Sequence, residues 1–108
     1  MIVVVEYEDE TGAHPFANWF RTLNVQAALK VRTAVARMET GNFSNVKPVG
    51  QGVREYRLNF GPGYRIYFGK DGDKLVILLG GGTKKRQSRD IDAAREHWAT
   101  YKTRKRKG

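Results

Sequence analysis

The stretch VREYRLNFGPGYRIYFGKDGDKLVILLGGG, residues 53–82, decides the fold. Residues 53–60 alternate, with Tyr56, Leu58 and Phe60 on one face and Glu55, Arg57 and Asn59 on the other, as a strand with one buried side requires. Gly61, Pro62 and Gly63 make a turn, after which Tyr64, Ile66 and Phe68 point inward and Arg65 and Tyr67 outward. Asp71-Gly72 is a hairpin signal, and residues 75–79 are apolar at every position, which predicts a central strand covered on both faces. The stretch reads as an antiparallel β-meander.

Upstream, residues 2–7 are β-branched and then charged, which predicts a short first strand. Phe16, Trp19, Phe20 and Leu23 follow at i, i+3, i+4 and i+7, with Pro15 where a first helical turn tolerates it. A second helix is expected over residues 25–39, with Ala27, Ala28, Val31, Ala34, Val35 and Met38 inward and Gly41 as its stop. Downstream of Gly80, Gly81 and Gly82 the period is helical again, with Ile91, Ala94, Trp98 and Tyr101 as the inward stripe and Thr83 as a possible cap. Residues 1–101 thus form a single α+β domain: a strand and two helices, an antiparallel meander and a C-terminal helix, with the helices on one face of the sheet. Residues 102–108 hold no apolar side chain, and their basic residues Lys102, Arg104, Lys105, Arg106 and Lys107 are expected to form a frayed tail.

A chain of 108 residues suits one domain, and 40% apolar residues are enough to fold it without disulfides or metal. The absence of cysteine removes thiol nucleophiles, zinc knuckles and iron–sulfur sites. The start lacks the basic and small-residue features of a signal peptide, and no stretch approaches the length of a membrane span, so a cytoplasmic protein is expected. Charge is the most informative property. Twenty Lys and Arg against 11 Asp and Glu give +9 and point to a polyanionic partner, because phosphate contacts release counterions whatever the base sequence.

Several catalytic motifs are excluded. The glycine run followed by Thr83 and Lys84 lacks the spacing of a phosphate-binding loop, and His14 and His97 lack metal-ligand spacing, so no metal or cofactor is expected. Two basic sets remain. Lys84, Lys85, Arg86 and Arg89 crowd the start of the last helix, where cations oppose the dipole unless an anion offsets them; the alternative is a solvated basic turn. Arg57 and Arg65 project from neighbouring strands and repel unless an anion or a carboxylate lies between them. Glu55 could be that carboxylate, which would make the pair structural. Tyr67 shares the outward face with Arg65 and could stack on a base.

The blocks Val53-Arg54-Glu55-Tyr56-Arg57-Leu58, Gly61-Pro62-Gly63-Tyr64-Arg65-Ile66-Tyr67-Phe68, Leu78-Leu79-Gly80-Gly81-Gly82-Thr83-Lys84 and Arg89-Asp90-Ile91, with Ala94 and Trp98, together span most of the chain. In these blocks the sequence resembles the addiction module killer proteins of the RelE/ParE toxin superfamily, which include HigB-like toxins. It departs where that family commonly has Asp before the lysine and this chain has Thr83. The resemblance implies a type II toxin, held inactive by a cognate helix-turn-helix antitoxin and reaching operator DNA only through that complex. It further implies ribosome-associated, metal-independent cleavage of mRNA by 2′-OH attack on the phosphodiester. On that pattern Arg65 stabilises the phosphorane, Lys84 and Arg57 bind phosphate or move protons, and the base is left open. Arg54, Tyr67, Lys85, Arg86 and Arg89 are the expected RNA contacts. A ParE-like gyrase inhibitor and a non-catalytic RNA-binding or operon-regulating module remain as alternatives on the same fold.

Overall fold

A computed structural model describes residues 1–108. The chain runs β1 (Val3–Glu6), α1 (Pro15–Phe20), α2 (Val25–Glu39), β2 (Val46–Pro48), β3 (Arg54–Leu58), β4 (Tyr64–Lys70) and β5 (Leu75–Thr83), then a single 3-10 turn (Lys84–Arg86) and α3 (Gln87–Lys107). The α+β class and the order of elements are those expected, with β2 added as a short edge strand.

Local chemistry accounts for the helices. Pro15 opens α1. The Asn24 side chain accepts a 2.9 Å hydrogen bond from the Ala27 N–H, capping α2, whose buried stripe is Ala27, Val31, Ala34 and Met38. The strands form one sheet in the order β1-β5-β4-β3-β2. Neighbours in residues 46–83 pair antiparallel, as the meander requires, while β1 lies parallel to β5. β5 therefore has a strand on each side, and its apolar run is buried from Val76 to Leu79.

Helices cover both faces of this sheet, not one. On the first face α1 and α2 pack on Tyr56, Leu58, Tyr64, Ile66, Phe68, Val76 and Leu78. On the second, Ala94 and Trp98 of α3 pack on Val53, Tyr67, Ile77 and Leu79. β3 and β4 alternate as expected, but Glu55, Arg65 and Tyr67 of the outward set are also buried, because α3 returns across them, while Arg57 and Asn59 stay accessible. Tyr64 through Gly69 are buried without interruption.

The glycine run also differs from expectation. Gly80, Gly81 and Gly82 lie within β5, paired with Tyr67, Ile66 and Arg65. Thr83 stands before the 3-10 turn but makes no capping hydrogen bond with its side chain. A bulge opposite the Tyr67/Phe68 step shifts the register, so that Gly82 faces Arg65 on the α3 side. Residues 102–107 are helical, not frayed. Asp71 explains why: it accepts from the Tyr101 hydroxyl at 2.7 Å and pairs with Lys105. Arg104 adds a 2.6 Å hydrogen bond to the Glu8 carbonyl, and its cation lies 5.1 Å from the Tyr7 ring. Basic side chains at a helix C-terminus also offset the dipole there.

Candidate functional site

The α3 side of the sheet changes character toward the Gly61–Gly63 turn. Moving from Trp98 toward α3's start, apolar packing gives way to a buried charged group. Arg57 and Arg65 stand directly opposite each other on β3 and β4, two register positions beyond Glu55 and Tyr67 and on the same face. The Glu55 side chain has no exposed surface. Its Oε1 accepts 2.8 Å from Arg57 Nε, and its Oε2 accepts 2.8 Å from Gln87 Nε2 at the start of α3. Arg65 Nε lies 3.7 Å from the same Oε2 and makes no hydrogen bond. Burial pushes the Glu55 carboxyl up, but the Arg57 and Gln87 hydrogen bonds outweigh it and hold the group below its ordinary value. Glu55 is therefore an ionised internal counter-ion. One carboxylate is shared by two guanidinium groups, so the three together carry a net positive charge.

Solvent reaches the two arginines unequally, at 39% of the Arg57 side chain but 8% of the Arg65 side chain. Arg65 donates from Nη1 to the Gly63 carbonyl at 2.7 Å, and the same carbonyl accepts the Lys84 N–H at 2.9 Å. This one carbonyl draws the meander turn, Arg65 and the 3-10 turn together. Residue 63 has φ +80, and a Cβ there would meet Arg65 Nη1 at 2.9 Å and Lys84 Cβ at 3.5 Å, so only glycine fits without displacement. The structure thus places Arg57, Arg65 and the backbone of Lys84 at one end of the sheet.

Other expected contacts do not join them. Tyr67 is fully buried and faces Glu55, so it has no surface on which a base could stack. Burial, and then the charge and approach of the Glu55 carboxylate, push its phenol well above the ordinary value, although the hydroxyl completes no hydrogen bond of good geometry. Arg54 is exposed, but it shares strand parity with Tyr56 and Leu58, placing it on the α2 side of the sheet, away from Arg57. Lys85, Arg86 and Arg89 line a separate open groove along α3, shared with the acidic Asp92 and Glu96. His14 lies near Glu6 and Glu8, and His97 stacks on Tyr7, so neither reaches the arginine pair. No group of three or more His, Asp or Glu side chains is placed to hold a metal ion.

The structure adds residues that sequence reading missed. Gln87 is one. Asp90 is another: its Oδ2 is buried without a partner, and a Cβ on residue 82 would meet that atom at 1.9 Å. Gly82 thus makes room for the protein's own carboxyl, which burial pushes up although Arg86 and Arg89 act against it. A third addition is a crevice of about 230 Å³ between α2 and the β3 edge, where Lys30, Arg37 and Arg57 meet Thr33, Asn45 and Asn59 with no acidic lining residue. Lys30 and Arg37 lie on the outward side of α2, a position a solvated face would equally explain.

Fold and site together define a small basic α+β domain with cations gathered around a buried carboxylate. The chain belongs to the phage-derived Gp49-like protein family (DUF891), which matches residues 18–106. It is similar to a Haemophilus influenzae protein described as uncharacterized, with 40% identity over 81 residues that cover 74% of this chain and 82% of the relative. No helix is long and apolar enough to cross a membrane.

Proposed function

We propose that this protein is the toxin of a type II toxin-antitoxin pair, which cleaves mRNA on the ribosome by 2′-OH attack on the phosphodiester and is neutralised by a cognate helix-turn-helix antitoxin. Membership of the Gp49-like family, an addiction-module and toxin-like group, supports the toxin class. One observation carries the nuclease reading: Arg57 and Arg65 are opposed in register with a single buried carboxylate between them. Like charges so placed repel, and a phosphodiester lying against Arg57 supplies the missing negative charge. Arg57 is the cation a strand meets first. Arg65 lies behind it and, with Lys84 beside the same turn, stabilises charge that develops on the phosphorane. From Arg57 the crevice holding Lys30 and Arg37 continues a cationic track for the next phosphates.

Arg57→Ala tests this, because its side chain is half exposed and Arg65 and Gln87 remain around Glu55. Toxicity and mRNA cleavage on induction fall by about a hundredfold, as for loss of one transition-state cation. In a binding assay with uncleavable RNA, Lys30→Ala with Arg37→Ala lowers the salt slope by about 1.4, the share of two phosphate contacts on a single strand. A folded Arg57→Ala protein of undiminished toxicity sinks the proposal, and DNA damage with intact mRNA would replace it with a gyrase target.

A further inference from the structure

The carboxylate between the arginines has more suitors than it accepts. Glu55 Oε2 is within 2.8 Å of Gln87 Nε2 and within 3.7 Å of Arg65 Nε, yet only the amide completes a hydrogen bond. A charged donor forms the stronger bond to a carboxylate, so with nothing else in the way Arg65 would close on Oε2. It does not, and its Nε is one of only three buried side-chain polar atoms without a partner. These three, Arg65 Nε, Tyr67 Oη and Asp90 Oδ2, share the α3 side of β4 and β5. An unmatched buried donor is costly, which asks for a reason why it persists.

We propose that Gln87 is a positioning residue that engages Glu55 Oε2 and so holds Arg65 in an ion pair without a hydrogen bond, leaving its Nε–H free to donate to a phosphodiester. This inference rests on the RNA-binding reading above. Gln87 suits the task because its amide is neutral: it satisfies the oxygen without adding charge of either sign. It is also the first residue of α3, directly after the Lys84–Arg86 turn, so the same bond fixes that turn against the sheet. Glu55 then serves Arg57 through Oε1 and Gln87 through Oε2, and Arg65 donates a hydrogen bond only to the neutral Gly63 carbonyl.

Gln87→Met tests the idea, since it preserves side-chain length and removes the donor. Affinity for a 2′-O-methyl oligoribonucleotide, which cannot be cleaved, should fall about tenfold, because Arg65 Nε then donates to Glu55 and must be pulled away on binding. The second measurement is the Arg65 Nε–H resonance, which should move downfield and exchange more slowly with solvent in Gln87→Met than in the wild type. A purely structural role for Gln87 would not produce that change. An unchanged Arg65 resonance overturns the inference, whatever the stability of the variant. So does wild-type affinity in Gln87→Met while Arg65→Ala loses binding, an outcome that leaves the RNA reading intact. If Arg65→Ala and Arg57→Ala bind the oligonucleotide as well as the wild type does, the RNA reading fails and the inference fails with it.

Discussion

The two faces of one sheet obey different rules. Against α1 and α2 the strands present Tyr56, Leu58, Tyr64, Ile66, Phe68, Val76 and Leu78, and every buried contact is apolar or aromatic. Against α3 the same strands present Val53, Ile77 and Leu79 at one end and Glu55, Arg65 and Tyr67 at the other. Glu55, Arg65 and Tyr67 are as buried as the apolar set, so burial alone does not separate the two faces. The first is arranged for packing alone. The second holds ionised groups in a protein interior, where a pair seldom stabilises more than an apolar substitute would and removal of one partner leaves an uncompensated charge. A face that keeps such groups beside unmatched polar atoms is organised for something other than stability.

The largest predicted effect falls on the apolar face. Phe68 is fully buried and stacks on Phe43 at 5.9 Å between centroids. Phe68→Ala should lower unfolding free energy by about 3–5 kcal/mol in a denaturant titration. A loss under about 1 kcal/mol would mean that this face is not the core, and the contrast would collapse.

A smaller, pH-dependent effect belongs to the charged face. Glu55→Gln should cost about 2 kcal/mol at neutral pH, discounted because water reaches Arg57. The folded state holds the Glu55 carboxyl below its ordinary value, so the stabilisation is complete above the usual glutamate range and is lost as pH falls through the lowered value. The two proteins should therefore converge in acid. Equal separation of their stabilities at every pH would show that Glu55 packs without acting as a charge.

Period-two alternation in residues 53–68 placed Tyr56, Leu58, Ile66 and Phe68 on the core side and set Arg57 opposite Arg65, because strand parity is a local property. Which sets were dry was not local. It depended on α3 folding back over the sheet and on the bulge that turns Gly82 instead of Gly81 toward Arg65, and neither leaves a periodicity. Tyr67 was misplaced for that reason. Gln87 was missed because nothing about a glutamine after three basic residues marks it as the partner of a glutamate 32 positions earlier. The tail was misjudged because Lys105 and Arg104 are anchored by Asp71 and the Glu8 carbonyl, partners distant in sequence.

The smallest predicted effect is the sharpest probe of the comparison, because Tyr67 and Phe68 are neighbours that point to opposite faces. Tyr67→Phe removes only a buried hydroxyl that has no hydrogen-bond partner. On a face built for packing alone, that change should stabilise the protein by about 1 kcal/mol, since an unmatched buried donor disappears and the ring remains. Thermal unfolding should show the gain, together with a fall in toxicity, because the change removes the hydroxyl dipole from the buried cluster of Glu55 and Arg65. A loss of stability would instead mean that the hydroxyl is tied to the Glu55 carboxylate. A gain with full toxicity would make the hydroxyl a remnant without a role. Only the combination of a more stable and less active protein separates a face kept polar for chemistry from one that is merely imperfectly packed.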